Sequence, residues 1–390
     1  MQSAGRALRS TGSGHLRAPG PSARVNLNGV RPVELQSGHS KFKVLQTTET
    51  QRDASEAGNA VPCPGQLLQR IRSDKGARPG AAGGRKAAVV WFTSDLRLHD
   101  NEALLQANSE SSSILPVFCV DPRAFKKSPG GFRRIDKYHA KFILDSVESL
   151  RVALRDVGSD LVVRFGNPEE IVPELAKKAG ASAVYCQEAF STEERRIEEM
   201  MSANIAEEGV KLKKFSGKTL LNQKDLPFRL KDLPRTFAKF QDMVAKIKIE
   251  PPKESPSDIK GLPLGSVEAG DIPTLQALGF DKEEISSMSK CRPGSLLKGG
   301  EPEALKKLRE QKSKPGKSSN VNFSSASKLS PWLAEGCLSP RRVYNEFCLT
   351  SKKCSLGASS LYELLWSDFF QFLESNRGSK QPVKKSPQLA

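Results

Sequence analysis

The stretch AAVVWFTSDLRLHDNEALL, residues 87–105, decides the reading of this chain. Ala87 to Phe92 is a short unbroken apolar run, as expected of a strand covered on both faces in a parallel sheet. Thr93, Ser94, Asp95, Arg97, His99, Asp100 and Asn101 follow, a polar cluster too dense for a plain connection. Asp100 or Asn101 can cap the next helix by accepting from its free N–H groups, and Glu102 then sits in the first turn, where the helix dipole favours an acid. On spacing alone, Asp95, Arg97 and Asp100 tie down a strand-to-helix turn.

Downstream the pattern repeats. Ile114 to Val120 is a second apolar run, and Ile143, Val147, Leu150, Leu154 and Val157 then recur at spacings of four and three, one face of a long helix that Gly158 is placed to close. Leu161 to Phe165, Ala183 to Cys186 and Val210 to Phe215 read as strands. Between them, Asn167-Pro-Glu-Glu and the capping box Ser191-Thr-Glu-Glu194 start helices. The alternation predicts an α/β fold, a doubly wound parallel five-stranded sheet over residues 86–222. Ligands of such sheets bind outside the carboxyl ends of the strands. Here those ends are Thr93-Ser94-Asp95, Cys119-Val120-Asp121 and Cys186-Gln187-Glu188. Glu188 stands out, because a carboxylate there can accept a pair of hydrogen bonds from an amino-pyrimidine or pterin edge; otherwise it is a solvated loop acid. No GxGxxG follows the first strand, which disfavours a classical dinucleotide site.

The 390 residues allow two domains, and 37% hydrophobic with 27% charged content is ordinary for a soluble protein. No apolar run approaches a membrane span, so neither an integral membrane protein nor a membrane partner is expected. The net charge of +17 is unevenly placed: residues 1–85 hold 13 Lys and Arg against 5 Asp and Glu. The remainder permits a phosphate-bearing partner without demanding one. Seven scattered cysteines with no CxxC pair point to a reducing compartment, and four histidines, none at ligand spacing from a cysteine pair, argue against a structural zinc site. Met1 to Val33 lacks acids while Arg6, Arg9, Arg17, Arg24 and Arg31 are spread through it, the composition of a chloroplast or mitochondrial transit peptide or, alternatively, of a basic tail with no address, within a disordered leader, 1–85.

Residues 223–298 read as a connection, rich in Pro, Gly and Ser from Lys248 to Lys298, with one short helix expected at Asp271 to Gly279. Helical segments follow over 299–378, and 379–390 is a tail. Ser324 to Arg341 is a hydroxyl-rich turn feeding two Ser-Pro helix starts, suited to a pyrophosphate or to an ordinary capped hairpin. Ser360 to Leu373 is an apolar helix.

Trp91-Phe-x-x-Asp-Leu-Arg-x-x-Asp-Asn101 resembles the opening of the photolyase and cryptochrome family. Phe118-Cys-Val-Asp-Pro-Arg123 and Gly166-Asn-Pro-Glu-Glu-Ile171 are similar to its later signatures, and Lys224 to Phe240, with two Asp-Leu-Pro turns, looks like the cryptochrome DASH branch. The resemblance runs from about 87 to 376. It implies an antenna (α/β) domain, a linker and an all-α FAD-binding domain. Glu188 would hold a folate antenna, 5,10-methenyltetrahydrofolate; Ser325, Ser327, Lys328, Leu329 and Ser330 would contact the FAD phosphates; Glu363 would polarise a pyrimidine dimer and Trp366 would stack on it. The implied activity is a blue-light photoreceptor or light-driven repair of dimers in DNA, single-stranded or UV-damaged.

The chain also departs from the family. Lys312 to Asn322 replaces a Tyr-x-x-Thr-Arg segment, Ser367 stands where an arginine is usual, and after Gly378 no residue takes the roles of the later helices. The expectation is an incomplete, C-terminally truncated helical part with weak or no FAD binding, apolar faces exposed at Phe369, Phe370 and Phe372, and a protein partner covering them. Whether such a chain is a deoxyribodipyrimidine photolyase-like enzyme stays open. So do two other readings: a non-catalytic α/β module that binds a pterin or nucleotide or docks a partner, and a nucleic-acid-binding protein acting through charge.

Overall fold

Five parallel strands, β1 (Ala87–Phe92), β2 (Ile114–Val120), β3 (Val162–Phe165), β4 (Ala181–Gln187) and β5 (Lys211–Phe215), form one sheet in the order β3-β2-β1-β4-β5. The computed structural model describes residues 87–263, 267–290, 296–312, 328–348 and 362–378. The expected leader and tail, Ser325 and Ser327 lie outside them.

Strand β1 is central and buried along its whole length, as its unbroken apolar run requires. Ala88, Val90 and Phe92 enter one core, with α1 (Glu102–Glu110) and α2 (Lys137–Asp156); Val89 and Trp91 enter the other, with α3 (Pro168–Lys178) and α4 (Thr192–Glu207). The stripe Ile143, Val147, Leu150 and Leu154 is the buried face of α2, and Gly158 closes that helix at φ 88°. At the sheet's edges, β5 presents Lys211, Lys213 and Lys214. The outer side of β3 is covered by the connecting segment, where the Val163 N–H donates to the Ala269 carbonyl (2.8 Å) and Arg164 to that of Glu268 (2.8 Å).

Within the connection the helix expected at Asp271 to Gly279 is instead a turn, closed by the Leu278 N–H on the Thr274 carbonyl (3.2 Å). Pro273 at one end and Gly279 at φ 85° at the other leave too few residues to repay helix nucleation. The helices here are α5 (Phe237–Val244) and α6 (Lys282–Ser289), the latter started by a capping box between Asp281 and Glu284. That Asp-x-x-Glu signal was present and unread. Then come α7 (Glu301–Lys312), α8 (Ser330–Ala334), α9 (Pro340–Cys348) and α10 (Tyr362–Gly378).

The polar cluster after β1 is buried, and it joins these later helices to the sheet. Asn101 is the cap, accepting from the Leu104 N–H at 3.1 Å. Asp100, at φ 50°, is free to do something else: it accepts a hydrogen bond from Arg341 Nε at 2.9 Å, has Arg341 Nη2 as an ion-pair contact at 2.9 Å, and accepts from the Ser339 hydroxyl and the Lys253 N–H. Arg97 donates to the carbonyls of Gly336 (2.8 Å) and Gly217 (2.9 Å). Gly336 sits at φ 67° against the turn after β1, where a Cβ would overlap the Ser94 carbonyl oxygen. His99 Nδ1 lies 2.6 Å from Glu301, while its Nε2 accepts the Ser339 N–H at 3.3 Å, which fixes the ring proton on Nδ1. Cys119, Cys186 and Cys337 are buried free thiols, with burial pushing Cys119 up to about 12. Cys348 departs from the expectation of thiols and is disulfide-bonded.

Candidate functional site

A cleft of about 470 Å³ opens at the carboxyl ends of β1, β2 and β4, where the strand order reverses between β1 and β4. Its walls are apolar, among them Trp91, Phe118, Phe125, Ile143 and Ile197. The structure thus brings together Thr93-Ser94, Cys119-Val120-Asp121 and Gln187-Glu188. Asp95 is not in the lining. It turns inward to accept from the Thr93 N–H (2.8 Å) and from Asn101 (3.1 Å), and burial holds its carboxyl above the ordinary aspartate range.

Six carboxylates line the cleft. Five have a cation: Asp121 has Arg123 at 2.6 Å, Glu193 has Arg134, Glu194 has Lys218 at 3.5 Å, Glu198 has Lys214 at 3.2 Å, and Glu335 has His139 at 2.7 Å. Glu188 has no side-chain partner among the described residues, although its backbone is fixed, its N–H donating to the Phe215 carbonyl at 2.8 Å. An unpaired acceptor on an otherwise charge-balanced apolar cleft suits a flat, donor-bearing ring better than an anion. Of the helix starts at the cleft, that of α4 is filled by its own Ser191–Glu194 capping box and is no phosphate site. Among the described residues, no group of three or more His, Cys, Asp or Glu is placed to hold a metal ion.

The other predicted site residues lie elsewhere; none of Glu363, Trp366, Lys328, Leu329 and Ser330 lines this cleft. Trp366 is 41% exposed on α10, over Phe237 of α5 (ring centroids 4.7 Å), beside Phe370 (5.1 Å) and stacked with Tyr362 (5.7 Å). Glu363, half-buried one turn before it, has its carboxyl raised by burial. Phe369 and Phe372 are not exposed as expected: they are buried against Phe240 at 5.4 and 6.3 Å, and only Phe370 of the three faces solvent. Lys328 and Ser330 are exposed and Leu329 is buried, beside a separate apolar groove of about 830 Å³ that Ser330, Phe142, Leu296 and Leu297 help to line. Along the connection, Lys224, Lys231, Arg235, Lys239, Lys246 and Lys248 are all exposed.

Two side chains that position these sites escaped the sequence reading. Asp368 is fully buried in α10 and accepts from the N–H groups of Leu220 (3.0 Å) and Leu221 (2.8 Å), with burial pushing its carboxyl up to about 8. Glu198 is 3% exposed and accepts from the Ala189 N–H at 2.7 Å. An isolated acid inside an apolar helix face is the sort of signal that periodicity averages away.

Residues 88–257 match the DNA photolyase family model. The blue-light photoreceptor PHR2 of Arabidopsis thaliana is 38% identical over 359 residues, 86% of this chain and 79% of that protein. Cryptochrome DASH, chloroplastic/mitochondrial, of the same plant is 33% identical over 76% of this chain and 53% of its own length. Among solved structures, the cryptochrome of Synechocystis superposes with a TM-score of 0.65 at 30% identity, covering 77% of this chain and 63% of that one. Across the cryptochrome DASH relatives the chain spans 53% to 63% of their length.

Proposed function

The chain belongs to the photolyase and cryptochrome family, a lineage of blue-light photoreceptors and DNA-repair flavoproteins, and we propose that its strand-end cleft is an antenna site in which Glu188 reads the amino-heterocycle edge of a reduced folate. The carrying observation is that Glu188 alone, of the six cleft carboxylates, has no side-chain cation or donor among the described residues. Apolar walls from β1, β2 and α2 would sandwich the ring, and a folate bound there would supply light absorption. The test is a titration with 5,10-methenyltetrahydrofolate. Glu188→Ala loses folate binding while its far-UV circular dichroism matches the parent, since one strand-end acid contributes little to the sheet. Equal retention of folate by both proteins would sink the assignment.

For the helical part we propose contact with damaged or single-stranded DNA. The exposed cations from Lys224 to Lys248 would meet phosphates, while Trp366 supplies a stacking face and Glu363, raised by burial, a carboxylic acid for a flipped base. Lys328, Leu329 and Ser330 would approach a flavin pyrophosphate. Their fit is one of charge alone, because α8 is five residues long and its N-cap, Leu329, offers no side-chain acceptor or donor. Flavin chemistry is therefore not assigned to any described residue. Import into a plastid or mitochondrion, proposed from the Arg-rich, acid-free residues 1–33, is checked by following a fluorescent fusion of that arm.

A further inference from the structure

Helix α4 buries Glu198, Met201 and Ile205 at spacings of three and four, so a carboxylate occupies a stripe position where an aliphatic side chain would pack. Burying an acid there is unfavourable unless its oxygens are satisfied. They are: one accepts the Ala189 N–H at 2.7 Å and the other meets Lys214 of β5 at 3.2 Å. Neither contact serves α4 itself, whose N-terminus is already closed by Ser191 and Glu194. What Glu198 holds is the loop in front of the helix, at the peptide that follows Glu188.

The peptide group before Glu188 is held as well, since the Glu188 N–H donates to the Phe215 carbonyl at 2.8 Å. Both peptides flanking the Glu188 Cα are therefore tethered, one to β5 and one to α4, and the Glu188 side chain has no partner among the described residues. Resting on the antenna reading above, we propose that Glu198 is the positioning residue of the cleft: it fixes the Glu188–Ala189 peptide and so aims the Glu188 carboxylate at the donor edge of a bound amino-heterocycle. Lys214 offsets the buried charge without touching the loop.

The experiment uses the full chain and two readouts, hydrogen exchange of the peptide spanning residues 186–191 and titration with 5,10-methenyltetrahydrofolate. Glu198→Ala speeds exchange and weakens folate binding, each by about tenfold, because the Ala189 N–H loses its acceptor. Glu198→Gln, whose amide oxygen can still accept, stays within about threefold of the parent on both readouts. Lys214→Met keeps the Ala189 acceptor, so exchange over residues 186–191 stays within about threefold of the parent even where the unpaired Glu198 lowers overall stability; where Glu198→Ala fails to fold, Glu198→Gln decides, since loosened exchange in that variant overturns the proposal. In a Glu188→Gln background, Glu198→Ala adds less than about twofold to the folate loss, as it must if it acts through Glu188. Parental exchange in Glu198→Ala, or fully additive folate losses, overturns the proposal. Parental folate binding by Glu188→Ala overturns the antenna reading instead, and the exchange data still decide separately whether Glu198 tethers the loop.

Discussion

Strand β1 buries Ala88, Val90 and Phe92 on one side and Val89 and Trp91 on the other, so the sheet is held by apolar contact on both faces, whereas the helices after Gly299, which share the first of these apolar cores, add to it a network of buried charge. Arg97 reaches Gly217 and Gly336, Asp100 reaches Arg341, His99 reaches Glu301, and Asp368 reaches back to Leu220 and Leu221. The difference teaches where specificity resides. Apolar burial tolerates exchange of one aliphatic residue for another, while a buried charge is satisfied in one arrangement only. The sheet's stability should accordingly respond in graded fashion to substitution, and the joint abruptly.

The sharpest way to break that contrast is Arg341→Met. It strands the fully buried Asp100 carboxylate without its ion-pair partner, and removing one partner of such a pair costs about 3–5 kcal/mol. Denaturant unfolding followed by circular dichroism measures the loss. The double variant Asp100→Asn/Arg341→Met should recover much of it, since two uncharged groups no longer need each other. A single variant no worse than an exposed-surface change would mean that the joint is held by packing, and the contrast would fall. For the sheet, Leu154→Ala empties a fully buried site on α2 and should cost about 2–5 kcal/mol, with no rescue by any charge change.

These two cases also show what was legible beforehand. The five strands, the stripe of α2 and the capping box of α4 follow from period and local turn chemistry, and the structure has each of them. The position of Glu188 in a strand-end cleft was legible for the same reason, because the carboxyl end of a parallel sheet is where such clefts open. The joint was not. Arg97 and Arg341 are 244 residues apart in the numbering, and their common environment arises only when Gly336 packs on the turn after β1. Asp368 and Glu198 were hidden for a second reason: each is one acid in a helix, and only their tertiary neighbours distinguish them from solvated acids. The turn at Asp271 to Gly279 shows the opposite error, local apolar spacing read as a helix that Pro273 and Gly279 do not allow.

Asp368 gives a pH test of intermediate size. The unfolded chain releases this proton above the ordinary aspartate value of 3.8, but the folded protein keeps it until about pH 8. The unfolded state thus binds fewer protons across that window, and stability falls as pH rises from about 4 to about 8, by at most roughly 1.4 kcal/mol per pH unit from this group. Among the described residues no charged side chain bonds to it; the elements packed around it carry Glu363, Glu374 and Arg377 on α10, Glu193, Glu194, Arg195, Arg196, Glu198, Glu199 and Glu207 on α4, Lys239 and Asp242 on α5, and Arg229, Lys231 and Asp232 in the turn before α5. Asp368→Asn keeps one acceptor and cannot ionise, so its stability should be flatter over the same range. Parallel pH profiles for parent and variant would show that the proton on Asp368 does not matter to the joint.

The smallest expected effect is at the surface tie between the same two parts. His139 at the start of α2 meets Glu335, the C-cap of α8, at 2.7 Å, and that hydrogen bond raises the imidazole above its ordinary 6.5. A raised histidine contributes its stability fully below 6.5 and loses it as pH climbs through the folded value, the reverse of a lowered carboxylate. The His139 side chain is 44% exposed, however, so solvent screening limits the pair to less than about 1 kcal/mol. Glu335→Gln should therefore lower stability slightly at pH 6 and progressively less as the pH rises through the raised imidazole value, and the difference should shrink in high salt. Buried and exposed ties at one joint then separate cleanly: salt leaves the cost of Arg341→Met unchanged and erases that of Glu335→Gln. If both responded alike to salt, the Asp100–Arg341 pair would have to be accessible to solvent ions, and the joint would be looser than its burial implies.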